Sequence, residues 1–317
     1  MFESAFFLVL FVICGLSSSA KTSANDPTKW DYCQYSKGCK VTFRVDGEPT
    51  GCPLKTCNQR GTRSEIAPEK FMEFRKAVVE AHNYWRNYYA SGQEKEGFSQ
   101  PVANMVVMNY DLELEHLARC WGRGFFNGYH DPCRWYHDGR PVGQNLWGIS
   151  VQITDMVPIV KRGVKDWYEE VKDMKPEAYE QYTTSKHDPP IGHFTQVVWG
   201  GAARVGCAGI YTSDVNKEKF IKKVYVSSLI CDYYVPEGLG PHSNMQEAKI
   251  FQQGPPCSQC PSVNKYSTCN SNYTSLCGEL EPIPSDKPYV YADNSSPAIL
   301  YGRNIFLIFA STILMLL

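Results

Sequence analysis

The cysteines constrain the fold of this chain more than any other feature of its sequence. There are 13 of them among 317 residues, and the first, Cys14, lies in an apolar N-terminal run. Without that run twelve remain, an even number that fits a full set of disulfides in an oxidising compartment. Four lie in residues 33–57, four in residues 257–277 and four between these blocks. Spacing alone leaves the pairing open, and four clustered cysteines also fit a zinc site, which an oxidising compartment disfavours.

Both ends of the chain carry patterns typical of segments that are removed during secretion. Residues 1–20 hold a short apolar run that ends in small residues, as a secretory signal peptide does, and the run is too short to favour a membrane span. At the other end, an apolar tail of 13 residues from Ile305 follows a spacer and the small triplet that begins at Asn294. This layout predicts a glycosylphosphatidylinositol (GPI) anchor attached at Asn294, with a short tail anchor as the alternative.

The chain divides into segments of distinct composition. Two sequons begin at Asn272 and Asn294, and we predict N-glycosylation at Asn272, because the second sequon competes with the lipid attachment site. The predicted segments are a signal peptide (1–20), a cysteine-rich N-terminal extension (21–64), a central domain (65–240), a cysteine-rich hinge-like module (241–280), a linker (281–294) and a GPI-attachment propeptide (295–317).

The central domain changes its hydrophobic period along the chain. Apolar residues at helical spacing predict one helix from Pro68, a second capped by Asp111, and a third over residues 153–171 with Pro158 as a kink. Strands are predicted, from β-branched and aromatic residues, over segments 193–199, 205–211 and 224–235. The last two flank a polar loop and could form a hairpin. Helices first and strands later predict an α+β fold rather than an alternating α/β fold.

The charges of the chain nearly cancel, with 32 Lys and Arg against 33 Asp and Glu and a formal net charge of −1. This balance gives no electrostatic reason to expect nucleic acid or an anionic membrane surface as a partner. The sequence also has neither the His-Glu-x-x-His pattern of a metalloprotease helix nor the Gly-x-Ser-x-Gly pattern around a nucleophilic serine. Two common signatures of a hydrolase are therefore missing.

The chain contains the run Gly192-His193-Phe194-Thr195-Gln196-Val197-Val198-Trp199 and, shortly after it, Val205-Gly206-Cys207-Ala208. This stretch resembles the signature of the CAP superfamily, whose members carry an SCP domain and include cysteine-rich secretory proteins, insect antigen 5 venom allergens and plant pathogenesis-related 1 proteins. Shorter segments that begin at Ala81, Leu112, Gly143 and Trp167 resemble other family elements in the same order. The resemblance covers about residues 65–240. The N-terminal cysteine block is similar to that of antigen 5 proteins, and the C-terminal module to the hinge of glioma pathogenesis-related proteins.

The resemblance implies a three-layer α-β-α sandwich with small disulfide-rich modules at both ends. The family's C-N-Y motif reads Cys231-Asp232-Tyr233 in this chain. Cys207 and Cys231 lie on the two strands of the proposed hairpin and could pair, although spacing does not fix the connectivity.

The resemblance also implies a central cleft that holds two His and two Glu in the family. By motif, these positions include Gln144, Glu170 and His193 here, and His130, 14 residues before Gln144, has the spacing expected of the other His, so that an amide replaces one carboxylate. The two histidines and Glu170 form a ligand set that fits Zn²⁺, and the same groups could carry out general acid–base chemistry. We favour a hydrogen-bonded polar network that orders the cleft and requires no cofactor. The reason is that Gln144 can neither take up a proton nor offset the charge of a divalent metal.

The sequence therefore favours a non-enzymatic binding protein that is secreted or GPI-anchored at the cell surface. The resemblance implies binding of a small lipid, such as a sterol or a fatty acid, or of an extracellular protein. Two alternatives stay open: a modulator of an ion channel or receptor that acts through residues 241–280, and, less favoured, a metal-dependent hydrolase. The polar residues His82, Asn83 and Arg86 of the first helix are expected to be structural.

Overall fold

The computed structural model describes residues 26–39, 48–183, 189–213 and 226–291. The predicted signal peptide, the predicted GPI-attachment propeptide and Asn294 lie outside these residues. Within the described ranges, no helix is both long and apolar enough to cross a membrane.

A five-stranded sheet forms the centre of the domain. Its strands are β1 (Ser64–Glu65), β2 (Asn109–Tyr110), β3 (Gly143–Ile149), β4 (Arg204–Tyr211) and β5 (Ser227–Tyr234). The order is β1-β4-β5-β3 with antiparallel neighbours, and β2 pairs in parallel with β4. The predicted pairing of the last two strands is confirmed, and it puts Cys207 directly opposite Cys231.

Helices cover both faces of this sheet and complete the three-layer α-β-α sandwich of the α+β fold. They are α1 (Phe71–Ala90), α2 (Leu112–Gly124), α3 (Val157–Tyr168), α4 (Pro176–Glu180) and α5 (Gly192–Val198). One face of the sheet is covered by α2, whereas α1, α3 and α5 pack together on the other. Because both faces are covered, every residue of β5 is buried. The predicted fold class is confirmed.

The first two helices begin where the sequence predicts. Pro68 opens a turn of 3₁₀ helix, Pro68–Lys70, that leads into α1. The Asp111 side chain accepts hydrogen bonds from two backbone N–H groups at the start of α2. The third helix is shorter than predicted, because it begins at Val157 and has Pro158 in its first turn. Proline fits that position without a kink, because N–H groups in the first turn of a helix have no acceptor within the helix and the N–H that proline lacks is not needed there.

The strand predicted over residues 193–199 is wrong, because most of this segment forms α5. The Glu170 carboxylate accepts hydrogen bonds from the backbone N–H groups of His193 and Phe194. These bonds supply acceptors for backbone N–H groups of the first helical turn, which have no acceptor within the helix itself. A contact from a distant part of the chain thus overrides the strand preference of the β-branched residues.

All twelve cysteines other than Cys14 form disulfides. The pairs are Cys33–Cys52, Cys39–Cys133, Cys57–Cys120, Cys207–Cys231, Cys257–Cys269 and Cys260–Cys277. Two of them tie the N-terminal extension to the central domain, and the C-terminal four close on themselves. The zinc alternative for the N-terminal cysteines is therefore wrong.

The C-terminal module packs on the central domain rather than extending from it. The backbone N–H of Cys277 donates to the carbonyl group of Met105, and the Arg204 guanidinium forms two hydrogen bonds with the Glu281 carboxylate. Tyr291, near the end of the described chain, is buried. Much of the segment predicted as a linker therefore lies against the domain.

Candidate functional site

The predicted cleft residues lie where α5, β3 and the loop before β3 meet. Gln144 is on β3, His193 is the second residue of α5, and His130 belongs to the loop that follows α2. All three line one cavity of about 460 Å³. Glu170, the fourth predicted residue, lies beside His193 in the 3₁₀ turn after α3.

Glu170 orients the His193 imidazole. Its Oε1 atom lies 2.7 Å from His193 Nδ1. Its Oε2 atom accepts the backbone N–H groups of His193 and Phe194 at 2.9 and 3.0 Å. A carboxylate accepts, so the hydrogen bond places the ring proton on Nδ1 and leaves Nε2 for solvent or a ligand. Glu170 thus acts as a helix cap and as the partner that fixes the tautomer.

His130 is held by a chain of hydrogen bonds that ends in a buried carboxyl group. Gln144 Oε1 lies 3.0 Å from His130 Nδ1 and accepts the backbone N–H of Asp131 at 3.0 Å. Gln144 Nε2 donates to Asp232 Oδ1 at 2.9 Å. Because the amide oxygen can only accept, His130 carries its proton on Nδ1. Asp232 is fully buried, and this burial raises its pKa to about 7.

Two of the departures from the family's motifs, at Gln144 and Asp232, meet in space. Gln144 stands where the resemblance implies a glutamate, and Asp232 stands where it implies an asparagine. The register of β3 and β5 puts these residues directly opposite each other. Compared with the family motif, the carboxyl and the amide have exchanged positions. The amide of Gln144 is on the cleft wall, and the carboxyl of Asp232 is buried behind it. Asp232 Oδ2 has no hydrogen-bond partner among the described groups.

The predicted zinc ligands do not converge into a three-ligand group. Within the described residues, three ligand atoms lie within 4.8 Å of one another only at Cys257, Cys260 and Cys277, whose sulfurs are in disulfides. Both oxygens of Glu170 already accept hydrogen bonds. His130 and His193 therefore offer one imidazole nitrogen each, and metal binding at His130, Glu170 and His193 stays a prediction.

Other side chains of the cleft were not predicted from the sequence. Arg134, Tyr182 and His242 line the same cavity. The protein packed around His130 lowers its pKa, and the charge of Arg134 adds to this effect. Burial likewise lowers the pKa of His242. These residues come from loops far apart in the chain, so no local pattern marks them.

The three polar residues of α1 have structural roles, as the sequence predicts. His82, Asn83 and Arg86 are fully buried. The two ring nitrogens of His82 bond the Val78 carbonyl group and the Tyr233 hydroxyl. The Arg86 guanidinium donates to the carbonyl groups of Val106, Val197, Trp199 and Gly200. Arg86 thereby fixes α1 to the segment that follows α5.

A second histidine–carboxylate pair lies outside the cleft, at a histidine to which the sequence assigned no role. His137 Nδ1 lies 2.6 Å from Glu113 Oε2. The His137 ring stacks on Trp30 with centroids 4.3 Å apart, and the Tyr32 hydroxyl donates to Glu113 at 3.0 Å. Burial raises the pKa of Glu113 to about 7. This cluster joins the N-terminal extension to α2.

A second concave surface, the α1–α3 groove, lies on the opposite side of α1 from its buried polar residues. It has a volume of about 480 Å³ and is lined by Glu80, Ala81, Tyr84, Trp85, Lys161, Lys165 and Tyr273. Tyr84 leaves 59% of its surface exposed, and Trp85 stacks on Tyr168 with ring centroids 4.3 Å apart. Both lysines are exposed on α3. The groove combines aromatic surface with two lysines and with Glu80, whose carboxylate lies 3.8 Å from Lys76 Nζ on the same helix.

Comparison with known proteins agrees with this architecture. The profile of the cysteine-rich secretory protein family, CAP, matches residues 79–233. A venom allergen 5 of Polistes dominula is 31% identical over 226 residues, which are 70% of this chain and 89% of that protein. A cysteine-rich venom protein of Tityus serrulatus is 29% identical over 83% of this chain, but only 58% of that protein's length is matched. The crystal structure of Na-ASP-1 is 27% identical and covers 65% of this chain and 47% of that chain, with a TM-score of 0.51. This chain belongs to the CAP family of cysteine-rich secretory proteins.

Proposed function

We propose that this protein is a non-enzymatic extracellular binding protein that holds a small anionic lipid in the α1–α3 groove. The observation that carries the proposal is the pairing of an aromatic floor, formed by exposed Tyr84 and half-buried Trp85 and Tyr273, with two lysines at its edge. Sites for small molecules are typically concave, lined by apolar and aromatic side chains and supplied with a few polar groups that fix orientation. The groove has a volume within the usual range for such sites.

The charges at the groove favour a fatty acid over a sterol. Lys161 and Lys165 are one helical turn apart and therefore lie on the same face of α3. Lys165 Nζ is 2.5 Å from a Glu169 carboxylate oxygen, whereas Lys161 has no ion pair with another described residue. Lys161 is thus available to a ligand carboxylate, while the acyl chain covers Tyr84 and Trp85. A sterol has no carboxylate for Lys161 to pair with, so this exposed cation would add little to its affinity.

A binding role is favoured over catalysis by the way in which the cleft uses its polar groups. Glu170 is committed to His193 and to the first turn of α5, and Gln144 is committed to His130 and Asp232. The acceptors left free are the Nε2 atoms of His130 and His193, and with Gln144 in place of the second carboxylate the cleft has no pair of free carboxyl groups for acid–base chemistry. We therefore retain the network interpretation and require no cofactor.

The proposed location is extracellular, with attachment to the cell surface through a GPI anchor at Asn294. The similarity to proteins named as venom proteins and venom allergens supports secretion. An extracellular protein target remains the other partner class. Action on a channel or receptor through residues 241–280 has less support, because the backbone N–H groups of Gln259 and Cys277 bond this module to the carbonyl groups of Ala103 and Met105 in the central domain.

Titration with a dansyl-labelled undecanoic acid tests the proposal. Fluorescence enhancement should report saturable binding at one site per chain. Reversing the charge at Lys161 (Lys161→Glu) should weaken binding by about threefold to tenfold, the effect of an exposed ion pair of about 1 kcal/mol. Arg162→Glu is the matched control, because it makes the same charge reversal on the same helix at a residue that does not line the groove.

The methyl ester of the same probe separates charge from packing. Its affinity should be insensitive to Lys161→Glu and should fall with Tyr84→Ser, which removes aromatic surface from the floor. His193→Ala should leave both probes bound as tightly as in the wild type. Binding that is lost with His193→Ala and retained with Tyr84→Ser would place the ligand in the cleft and contradict the proposal.

A further inference from the structure

We propose that Asn272 carries an N-linked glycan that lies across the mouth of the α1–α3 groove and slows the entry and exit of its ligand. The glycan assignment rests on Asn272 and its surroundings alone. Its effect on ligand exchange rests on the proposed function, and the two parts are tested by separate measurements.

Asn272 sits at the tip of a tight loop that presents its side chain outward. The Asn270 side-chain oxygen accepts the backbone N–H groups of Asn272 and Tyr273, both at 2.9 Å. Asn272 and Thr274 are exposed, while Asn270 is buried beneath them. The hydrogen bonds of the loop thus use the backbone of Asn272 and leave its side-chain amide at the surface. An exposed loop is the setting in which an Asn-x-Thr sequon is normally modified.

The same loop forms one wall of the groove. Tyr273, the middle residue of the sequon, lines the groove together with Tyr84 and Trp85. The backbone N–H of Ser275 donates to the Asn87 side chain on α1 at 2.9 Å, which fixes the loop to that helix. Adjacent Cα atoms are about 3.8 Å apart, so a sugar on Asn272 begins one residue from the aromatic floor. A branched oligosaccharide attached there starts beside the wall of the groove and is large enough to extend over its mouth.

The modification is an ordinary group transfer of the secretory pathway. The donor is an oligosaccharide linked to a polyisoprenoid diphosphate. A bond forms between Asn272 Nδ2 and the anomeric carbon of the first sugar, and the bond from that carbon to the diphosphate oxygen breaks. The amide gives up one proton, and the lipid diphosphate leaves with the bonding electrons. The oxidation state of every group is unchanged.

An obstacle at the mouth acts on ligand exchange rather than on affinity. The ligand has to pass the glycan both on entry and on exit, so the association and dissociation rate constants change by the same factor. Their ratio, the dissociation constant, then stays the same. A glycan that contacted the bound ligand would instead change the dissociation rate alone.

The first measurement is the mass of the reduced peptide that contains Asn272 after digestion with trypsin and a Glu-specific protease, which cleaves after Glu279 and separates this peptide from Asn294; the full chain is expressed in animal cells and released from their surface with phosphatidylinositol-specific phospholipase C. The wild type should carry a hexose-rich addition on this peptide, Thr274→Ala should lose it, and Thr274→Ser should restore it. Ser271→Ala is the matched control, because it changes the same loop without removing the sequon. An unmodified Asn272 peptide in the wild type would overturn the glycan assignment and, with it, the proposed obstacle.

The second measurement compares the solvent accessibility of the groove with and without the glycan, in the absence of any ligand. Hydroxyl-radical labelling should oxidise Tyr84 several-fold faster in Thr274→Ala than in the glycosylated wild type. Tyr289 is the internal control, since it is also partly exposed but lines a different cavity. Equal labelling of Tyr84 in both proteins would overturn the position proposed for the glycan.

The third measurement is stopped-flow binding of the dansyl-labelled undecanoic acid. Both rate constants should rise several-fold in Thr274→Ala, with the same dissociation constant. Trimming a high-mannose glycan to one sugar with endoglycosidase H should reproduce the change without altering the sequence. Equal rate constants with and without the glycan would show that the glycan does not obstruct the groove. Failure of every form to bind the probe would overturn the proposed function. In that case the mass and labelling results would still decide the glycan assignment.

Discussion

Replacing Asp232 with asparagine tests the electrostatics of the cleft. Aspartate has a usual carboxyl pKa of 3.8, and in the folded protein burial raises the pKa of Asp232 to about 7. Below about pH 4 the carboxyl group is protonated in both states, so its burial has little electrostatic cost. As the pH rises from about 4 to about 7, the unfolded chain releases this proton while the folded protein retains it. The free energy of unfolding therefore falls over this range.

The size of this effect follows from the pKa difference. About three pH units at about 1.4 kcal/mol each give about 4 kcal/mol of unfolding free energy that the wild type loses by pH 8. The asparagine side chain has no proton to release in this range. The free energy of unfolding of the Asp232→Asn variant should therefore rise by about 4 kcal/mol relative to that of the wild type between pH 4 and pH 8. Guanidinium unfolding at the two pH values, with all disulfides intact, measures the change. If the two proteins differ in free energy of unfolding by the same amount at both pH values, Asp232 does not have a raised pKa in the folded protein.

The same pair supports a reciprocal exchange. Gln144→Glu alone replaces the donor that faces Asp232 Oδ1 with a second carboxyl oxygen, so two buried acids compete for one proton. We expect a destabilisation of about 1–3 kcal/mol at pH 8. Adding Asp232→Asn restores one donor and one acceptor and should recover most of this loss. Strict additivity of the two single changes would show that the residues do not interact.

Three further predictions concern the rest of the molecule. Arg86→Met should lower the free energy of unfolding by about 3–5 kcal/mol, because it removes five hydrogen bonds that a buried guanidinium donates to four carbonyl groups; Arg162→Met, on the exposed face of α3, should change it by less than about 0.5 kcal/mol. A large excess of Zn²⁺ should leave the Tm of the wild type unchanged, because the cleft offers two nitrogens rather than three converging ligands; a rise in Tm that His193→Ala abolishes would contradict this. Phosphatidylinositol-specific phospholipase C should release the protein from expressing cells, and retention until detergent is added would favour a short tail anchor instead of GPI attachment at Asn294.

Local periodicity and spacing explain which parts of the fold could be predicted. The starts of α1 and α2 are encoded nearby, by Pro68 and by the Asp111 cap. The pairing of β4 with β5 follows from two adjacent apolar runs. The strand predicted at residues 193–199 failed because the groups that cap α5 come from Glu170, far away in the sequence.

The site was predictable only where a motif carried it. His193 and Glu170 occupy matched motif positions, and the structure joins them directly. The link between Gln144 and Asp232 depends on the register of β3 against β5, which spans 88 residues and leaves no local trace. The α1–α3 groove depends on two helices and on Tyr273 from the C-terminal module. Side chains that converge from three separate segments cannot be recognised from spacing.

Native mass spectrometry of the protein released from expressing cells by phosphatidylinositol-specific phospholipase C tests the proposed lipid binding most directly. The account predicts a fraction of the wild type with the added mass of one single-chain anionic lipid. This addition should be absent from the double variant Tyr84→Ser, Lys161→Glu and present in Arg162→Glu and His193→Ala. A wild type that stays bare after incubation with a fatty acid would contradict the account, as would an added lipid that the groove variant retains.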